Sequence, residues 1–176
     1  HEYGLVRSGV RDLYQRIEAL GIPVLNNTWI PYELGGQTVA LGGTIYHAYP
    51  YAQTEEEFRQ SDVCRMLAEM ENSGLPTVVL AHKPDTFGFG NASERWKIGL
   101  ILSGHVHGGI IRLPLLGGLF SPGEVLFPGY DRGWYRIGSM QMIIGGGLAG
   151  YARIPRIFNP GEVSVVEIGP ENGRNQ

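Results

Sequence analysis

Cysteine is almost missing from this chain: Cys64 is the only one in 176 residues, so no internal disulfide can form. It falls in SDVCRMLAEM, on the expected apolar side of a helix, where it reads as a small packing residue rather than a reactive thiol. Basic clusters are missing too. Fourteen Lys and Arg face seventeen Asp and Glu, giving a formal net charge of −3. That balance argues against non-specific binding to nucleic acid or to an anionic membrane surface. No apolar run reaches the ~18 residues that a membrane-spanning helix needs, and no signal-peptide pattern is visible. Neither an HxxxH nor a CxxC pair occurs, so two common sources of metal ligands are excluded. No internal repeat or low-complexity segment is present.

What remains is an ordinary globular balance, 43% apolar and 18% charged, long enough for one domain with a real core. Apolar residues at helical spacing predict a helix over 7–21 and a second, long one over 54–74. Thr54 and Glu57 suggest a capping box for the second. Residues 23–34 predict a strand, a short break and another strand. GGQ then turns the chain into the strand TVALGGTIY. PTVVLAH (76–82) and KIGLILSGH (97–105) read as buried strands. Residues 108–133 are rich in Gly and Pro and predict a long loop, of the kind that often carries function. A hairpin around Gly138 and Ser139 (133–147) and a last strand, GEVSVVEI (161–168), complete the pattern.

Two of these strands end in histidine, His82 and His105, and GHVHGG adds His107 two residues further on. Positions i and i+2 of a strand face the same way. Parallel neighbours end on one sheet edge, where open α/β sheets bind ligands. If the two strands are neighbours, His82, His105 and His107 converge, and imidazole is the commonest side-chain ligand for transition metals. A histidine taken alone reads as a surface or hydrogen-bonded residue; two strand-end motifs with flanking glycines favour a metal site. His47, in TIYHAYPYA, reads as a surface or substrate-pocket residue. Tyr46, Tyr49 and Tyr51 could stack on an aromatic or sugar group, or cover a sheet edge.

With AHKPD, GHVHGGIIRLP and the opening HE, the sequence resembles the calcineurin-like metallophosphoesterases. It is most similar to the single-domain bacterial branch that ends GHTHGGQIRLP. YDRGWYRIGSMQMIIGGGLAG and FNPGEVSVVEI extend the resemblance from His1 to about Ile168. The resemblance implies an α/β fold, the C-terminal part of a four-layer α/β/β/α sandwich with mixed sheets. Residues 1–176 would form a calcineurin-like phosphoesterase domain lacking its N-terminal D-x-H, G-D and G-N blocks. On this expectation the chain starts inside a G-N-H-[DE] motif. His1 then matches the catalytic histidine and Glu2 its acidic follower, while His82, His105 and His107 match metal ligands. Alone, His1 reads equally as a tag-derived terminus, but Tyr3 and Gly4 continue the pattern. Val106 and Ile110 depart from the family's usual Thr and Gln, neither of which is a ligand.

The implied activity, in the complete protein, is hydrolysis of a phosphomonoester or phosphodiester. Two divalent ions of the manganese, zinc or iron type would activate a bridging hydroxide that attacks phosphorus. His1 would protonate the leaving alkoxide, with Glu2 raising its pKa. The implied partner is a phosphate-ester substrate, with no nucleic-acid signal. Membrane association would come only through an upstream segment. The alternative is a binding or scaffold module that keeps the fold without turnover. A hydrolase of the metallo-β-lactamase kind would need an H-x-H-x-D-H block, which does not occur.

Overall fold

The computed structural model describes residues 12–44, 55–88, 95–122, 125–150 and 154–169. The expected helix over 7–21 is described as α1 (Leu13–Glu18). Only the second of the strands expected over 23–34 forms, as β1 (Thr28–Leu34). It pairs antiparallel with β2 (Gln37–Thr44). Gly35 and Gly36 join them with φ of 59° and 84°, the two left-handed residues that a tight hairpin turn requires.

The single helix expected over 54–74 is two helices, α2 (Glu55–Arg59) and α3 (Asp62–Asn72). Ser61 causes the break. Its backbone is extended and its hydroxyl accepts the Cys64 N–H at 3.2 Å, so it caps α3. Thr54 of the expected capping box lies outside the described residues. Val63, Met66, Leu67 and Met70 are buried at i, i+3, i+4 and i+7, the stripe that seats a helix on a sheet. Gly42 lets it approach: a Cβ there would lie 2.5 Å from Met70 Sδ. Cys64 packs against the edge of this core, as its sequence context predicts.

β3 (Thr77–Ala81), α4 (Asp85–Gly88) and β4 (Leu100–Ser103) follow. The stretch expected to be a long loop is ordered by two short ladders. These are β5 (Arg112–Leu113) with β6 (Gly117–Gly118), and β7 (Phe120–Ser121) with β8 (Val125–Leu126). The hairpin expected around Gly138 and Ser139 is present as β9 (Gly133–Ile137) and β10 (Met140–Ile144). The last expected strand does not form: 161–168 is irregular, with Val163 and Val165 well exposed. Alternating apolar residues suit a sheet, but a strand exists only with a partner ladder, and among the described residues none pairs with this segment.

The sheet order is β1-β2-β3-β4-β10-β9. The inner four strands run parallel and both edges pair antiparallel, so the expected α/β fold with a mixed sheet is observed. Among the described residues it is one layer, with α3 on the face formed by Ala40, Val79, Ile101 and Met142. No described helix is long and apolar enough to cross a membrane.

Candidate metal centre

β3 and β4 are parallel neighbours, and their last residues, Ala81 and Ser103, are partners in register. The two chains therefore leave the sheet side by side, tied by the Gly104 N–H donating to the His82 carbonyl at 3.3 Å. This brings the rings of His82 and His105 together, with centroids 4.6 Å apart and planes tilted by 57°. A cavity of about 350 Å³ opens at this edge, with Thr44, Ala81, His82 and Gly104 in its wall. Burial first, then the neighbouring His82, Lys83 and His107, pushes the His105 imidazole down from 6.5 to about 4. It is therefore neutral around pH 7, the form that offers a nitrogen lone pair.

Beyond β4 the backbone turns left-handed. φ is positive at His105 (68°), His107 (53°), Gly108 (67°), Gly109 (78°) and Ile110 (44°), and only Val106 (−73°) interrupts. A non-glycine residue in this region costs roughly 1–2 kcal/mol, so the loop must be held by its surroundings. Asn159, 3% exposed, donates from Nδ2 to the carbonyls of His107 (2.7 Å) and Ile110 (3.1 Å). Arg112 Nη1 donates to the Gly108 carbonyl at 2.7 Å and to Asp131 Oδ2 at 2.7 Å. Gly109 admits the β5–β6 hairpin, since a Cβ on it would collide with Gly118 Cα. The His107 ring turns its Nδ1 to the carbonyl of Ala149, 3.1 Å away.

Relatives of this sequence point the same way. An uncharacterized metallophosphoesterase of Helicobacter pylori strain J99 is 32% identical over 169 residues, 93% of this chain and 42% of the relative. The chain belongs to the metallophosphoesterase family. A second uncharacterized metallophosphoesterase, YkuE of Bacillus subtilis strain 168, is 34% identical over 101 residues, 56% of this chain and 32% of the relative. The phosphodiesterase YaeI of Escherichia coli K12 is 46% identical over 52 residues, 30% of this chain and 18% of the relative. The chain spans about two fifths of the length of the Helicobacter relatives it matches. No family model matches it, and no solved structure matches it with significance.

Metallophosphoesterase membership implies divalent metal cofactors, and the donor chemistry at the sheet edge fits their nitrogen ligands. Two imidazoles are side by side, and one is held neutral. Among the described residues no three His, Cys, Asp or Glu side chains form a group that could hold an ion. The structure thus brings His82 and His105 together, and His107, near enough to act on His105, has its Nδ1 at the Ala149 carbonyl. The strand rule that put His105 and His107 on one side requires extended backbone, and the left-handed turn at His105 ends the alternation. His1, Glu2 and His47 lie outside the described residues. Asn159, Arg112 and Asp131 were not legible as site residues. Asn159 and, through Arg112, Asp131 act on the histidine loop from far along the chain, whereas Arg112 reaches back only four residues to the Gly108 carbonyl. FNPG and YDRG read locally only as turns.

The Arg112–Asp131 pair that braces this metallophosphoesterase loop is mostly buried, with side chains 20% and 14% exposed. Burial alone would raise the Asp131 carboxyl. The Gly118 N–H, the Tyr135 hydroxyl, Arg112 and the Arg132 N–H outweigh it and hold the carboxyl below 3.8. A depressed carboxylate contributes stability that is fully present above its unfolded pKa and lost as pH falls through its folded one. The Asp131→Asn variant should therefore be less stable than wild type from pH 7 to about 4. The gap should close in stronger acid. Urea denaturation across pH 2.5–7 measures it, and a gap that stays constant would detach Asp131 from acid sensitivity.

Proposed function

We propose that this chain forms part of a metal-dependent phosphoesterase that hydrolyses a phosphomonoester or phosphodiester. On this reading, residues 1–176 belong to a calcineurin-like phosphoesterase domain, and a phosphate-ester substrate is the partner. The observation that carries it is the pair of adjacent imidazoles, His82 and His105, at the ends of neighbouring parallel strands beside a left-handed glycine loop. His82, His105 and His107 would hold divalent ions of the manganese, zinc or iron type, together with carboxylates from outside the described residues. Such ions, when bound, supply Lewis-acid polarisation of the phosphoryl group and activation of water, as in two-metal hydrolases.

The chain's own residues do the rest. His105, neutral at working pH, presents a lone pair without first losing a proton. Gly108 and Gly109 let Asn159 and the β5–β6 hairpin pack against the loop, since a Cβ on either would collide with them. His1, matching the family's catalytic histidine, would hold a proton for the leaving oxygen, and Glu2 would stabilise that charged imidazolium.

Metal analysis of the complete polypeptide, with hydrolysis assays on a panel of phosphate esters, tests the reading. Stoichiometric divalent metal with turnover supports it; a metal-free, inactive protein supports the scaffold alternative. The acid role makes a separate prediction. His1→Ala should lower turnover most for esters with poor leaving groups, by roughly 10²–10⁴-fold, and much less for an activated aryl ester. Equal losses on both substrates would remove His1 from that role.

A further inference from the structure

Arg156 makes more directed contacts than its place in an irregular segment suggests. Its Nε donates to the Asn159 carbonyl at 2.8 Å and its Nη1 to the Ala149 carbonyl at 2.7 Å. Its Nη2 reaches the Gly146 carbonyl (2.9 Å), the Pro160 carbonyl (3.2 Å) and Asn159 Oδ1 (3.3 Å). All five acceptors are carbonyl or amide oxygens in two stretches of chain, 146–149 and 159–160. Each stretch also holds one end of His107. The Ala149 carbonyl faces the ring at Nδ1, 3.1 Å away, and the Asn159 amide donates to the His107 backbone carbonyl at 2.7 Å. One planar guanidinium thus fixes both groups that grip this histidine.

We propose that Arg156 is a positioning residue that sets the tautomer and direction of the His107 imidazole through the carbonyl of Ala149. A carbonyl oxygen only accepts, so the His107 Nδ1 beside it carries the proton and Nε2 keeps its lone pair. With two lone pairs, the Ala149 oxygen serves both Arg156 and His107. A ring anchored in this way presents Nε2 in one orientation, and an outer carbonyl partner raises the basicity of a ligating histidine. The role of Nε2 as a donor rests on the phosphoesterase reading above; the fixing of the ring does not. Lysine cannot replace the fork, because an ammonium on a flexible stem has no planar set of donors to span five fixed oxygens.

Long-range ¹H–¹⁵N NMR of the metal-free full chain reads the tautomer directly, and the chain has only five histidines to assign. The expected result is an Nδ1–H tautomer for His107 in wild type and a shift towards Nε2–H in Arg156→Ala and Arg156→Lys. Zinc affinity should fall ~10–100-fold in the same variants. An Nε2–H tautomer in wild type overturns the proposal. So does a folded Arg156→Ala protein with an unchanged tautomer and zinc affinity within twofold. If the alanine variant does not fold, the wild-type tautomer and the lysine variant decide. Wild-type zinc affinity in His107→Asn overturns the ligand reading instead and leaves the tautomer result standing.

Discussion

Replacing His105 with alanine in the complete polypeptide is expected to lower phosphoester hydrolysis more than 100-fold and to reduce bound metal. Loss of an outer partner of a metal ligand costs about 10–100-fold, and removing the donor nitrogen itself should exceed that. His82→Ala should behave alike, because the two rings stand 4.6 Å apart at one sheet edge. On the proposed reading one ion, with metal–nitrogen bonds of ~2.0–2.1 Å, would be shared by both rings. The double variant should then be little worse than either single one, since groups that act as a unit are not additive. Independent, multiplying losses would mean that the two histidines serve separate ends. The pH dependence has a defined sign. His105 stays deprotonated down to about 4, so acid should not remove it as a donor between pH 7 and 5. An activity loss in that window belongs to another group.

Gly109→Ala is expected to be the most damaging single-methyl change in the histidine loop. Two separate penalties add. The backbone there is left-handed, φ 78°, and a Cβ would run into Gly118 Cα, which is backbone and cannot rotate away. Left-handed strain of roughly 1–2 kcal/mol and overpacking of roughly 1–3 kcal/mol give about 2–5 kcal/mol. For a chain of this size that is a fall in Tm of about 4–20 °C. Gly35→Ala is the control: φ is 59° but no atom lies within 4 Å of its would-be Cβ, so only the backbone term applies. Thermal melts of the two variants separate the terms. Similar drops at both sites would show that close approach of the β5–β6 hairpin is not what Gly109 provides.

Local rules carried a good part of the molecule. A β-branched run located β3 and an apolar run located β4, the paired glycines located the β1–β2 turn, and Gly138 and Ser139 located the β9–β10 turn. In each case neighbouring residues alone decide the backbone. The rules failed where a local signal competed with another one. Ser61 lies within a helical apolar pattern, yet its hydroxyl ended one helix and capped the next. Residues 161–168 alternate like a strand, but alternation supplies no partner ladder.

At the site the division follows the same physics. By itself the sequence determined which chemistry is available: five histidines, two of them at strand ends, a loop with three glycines around it, and a series of motifs shared with metallophosphoesterases. Residue type and order are enough for that, because ligand chemistry belongs to side chains and strand ends are set by local pattern. Only the tertiary structure decided that β3 and β4 are neighbours, that His105 is buried to neutrality, and that His107 turns to Ala149. The same holds for Asn159, Arg112 and Arg156, the residues that hold the loop. They lie 52, 4 and 7 positions from the residues they bond in these contacts. The long-range one depends on how the chain closes on itself, and Arg112 meets Gly108 where the backbone has positive φ from His107 to Ile110.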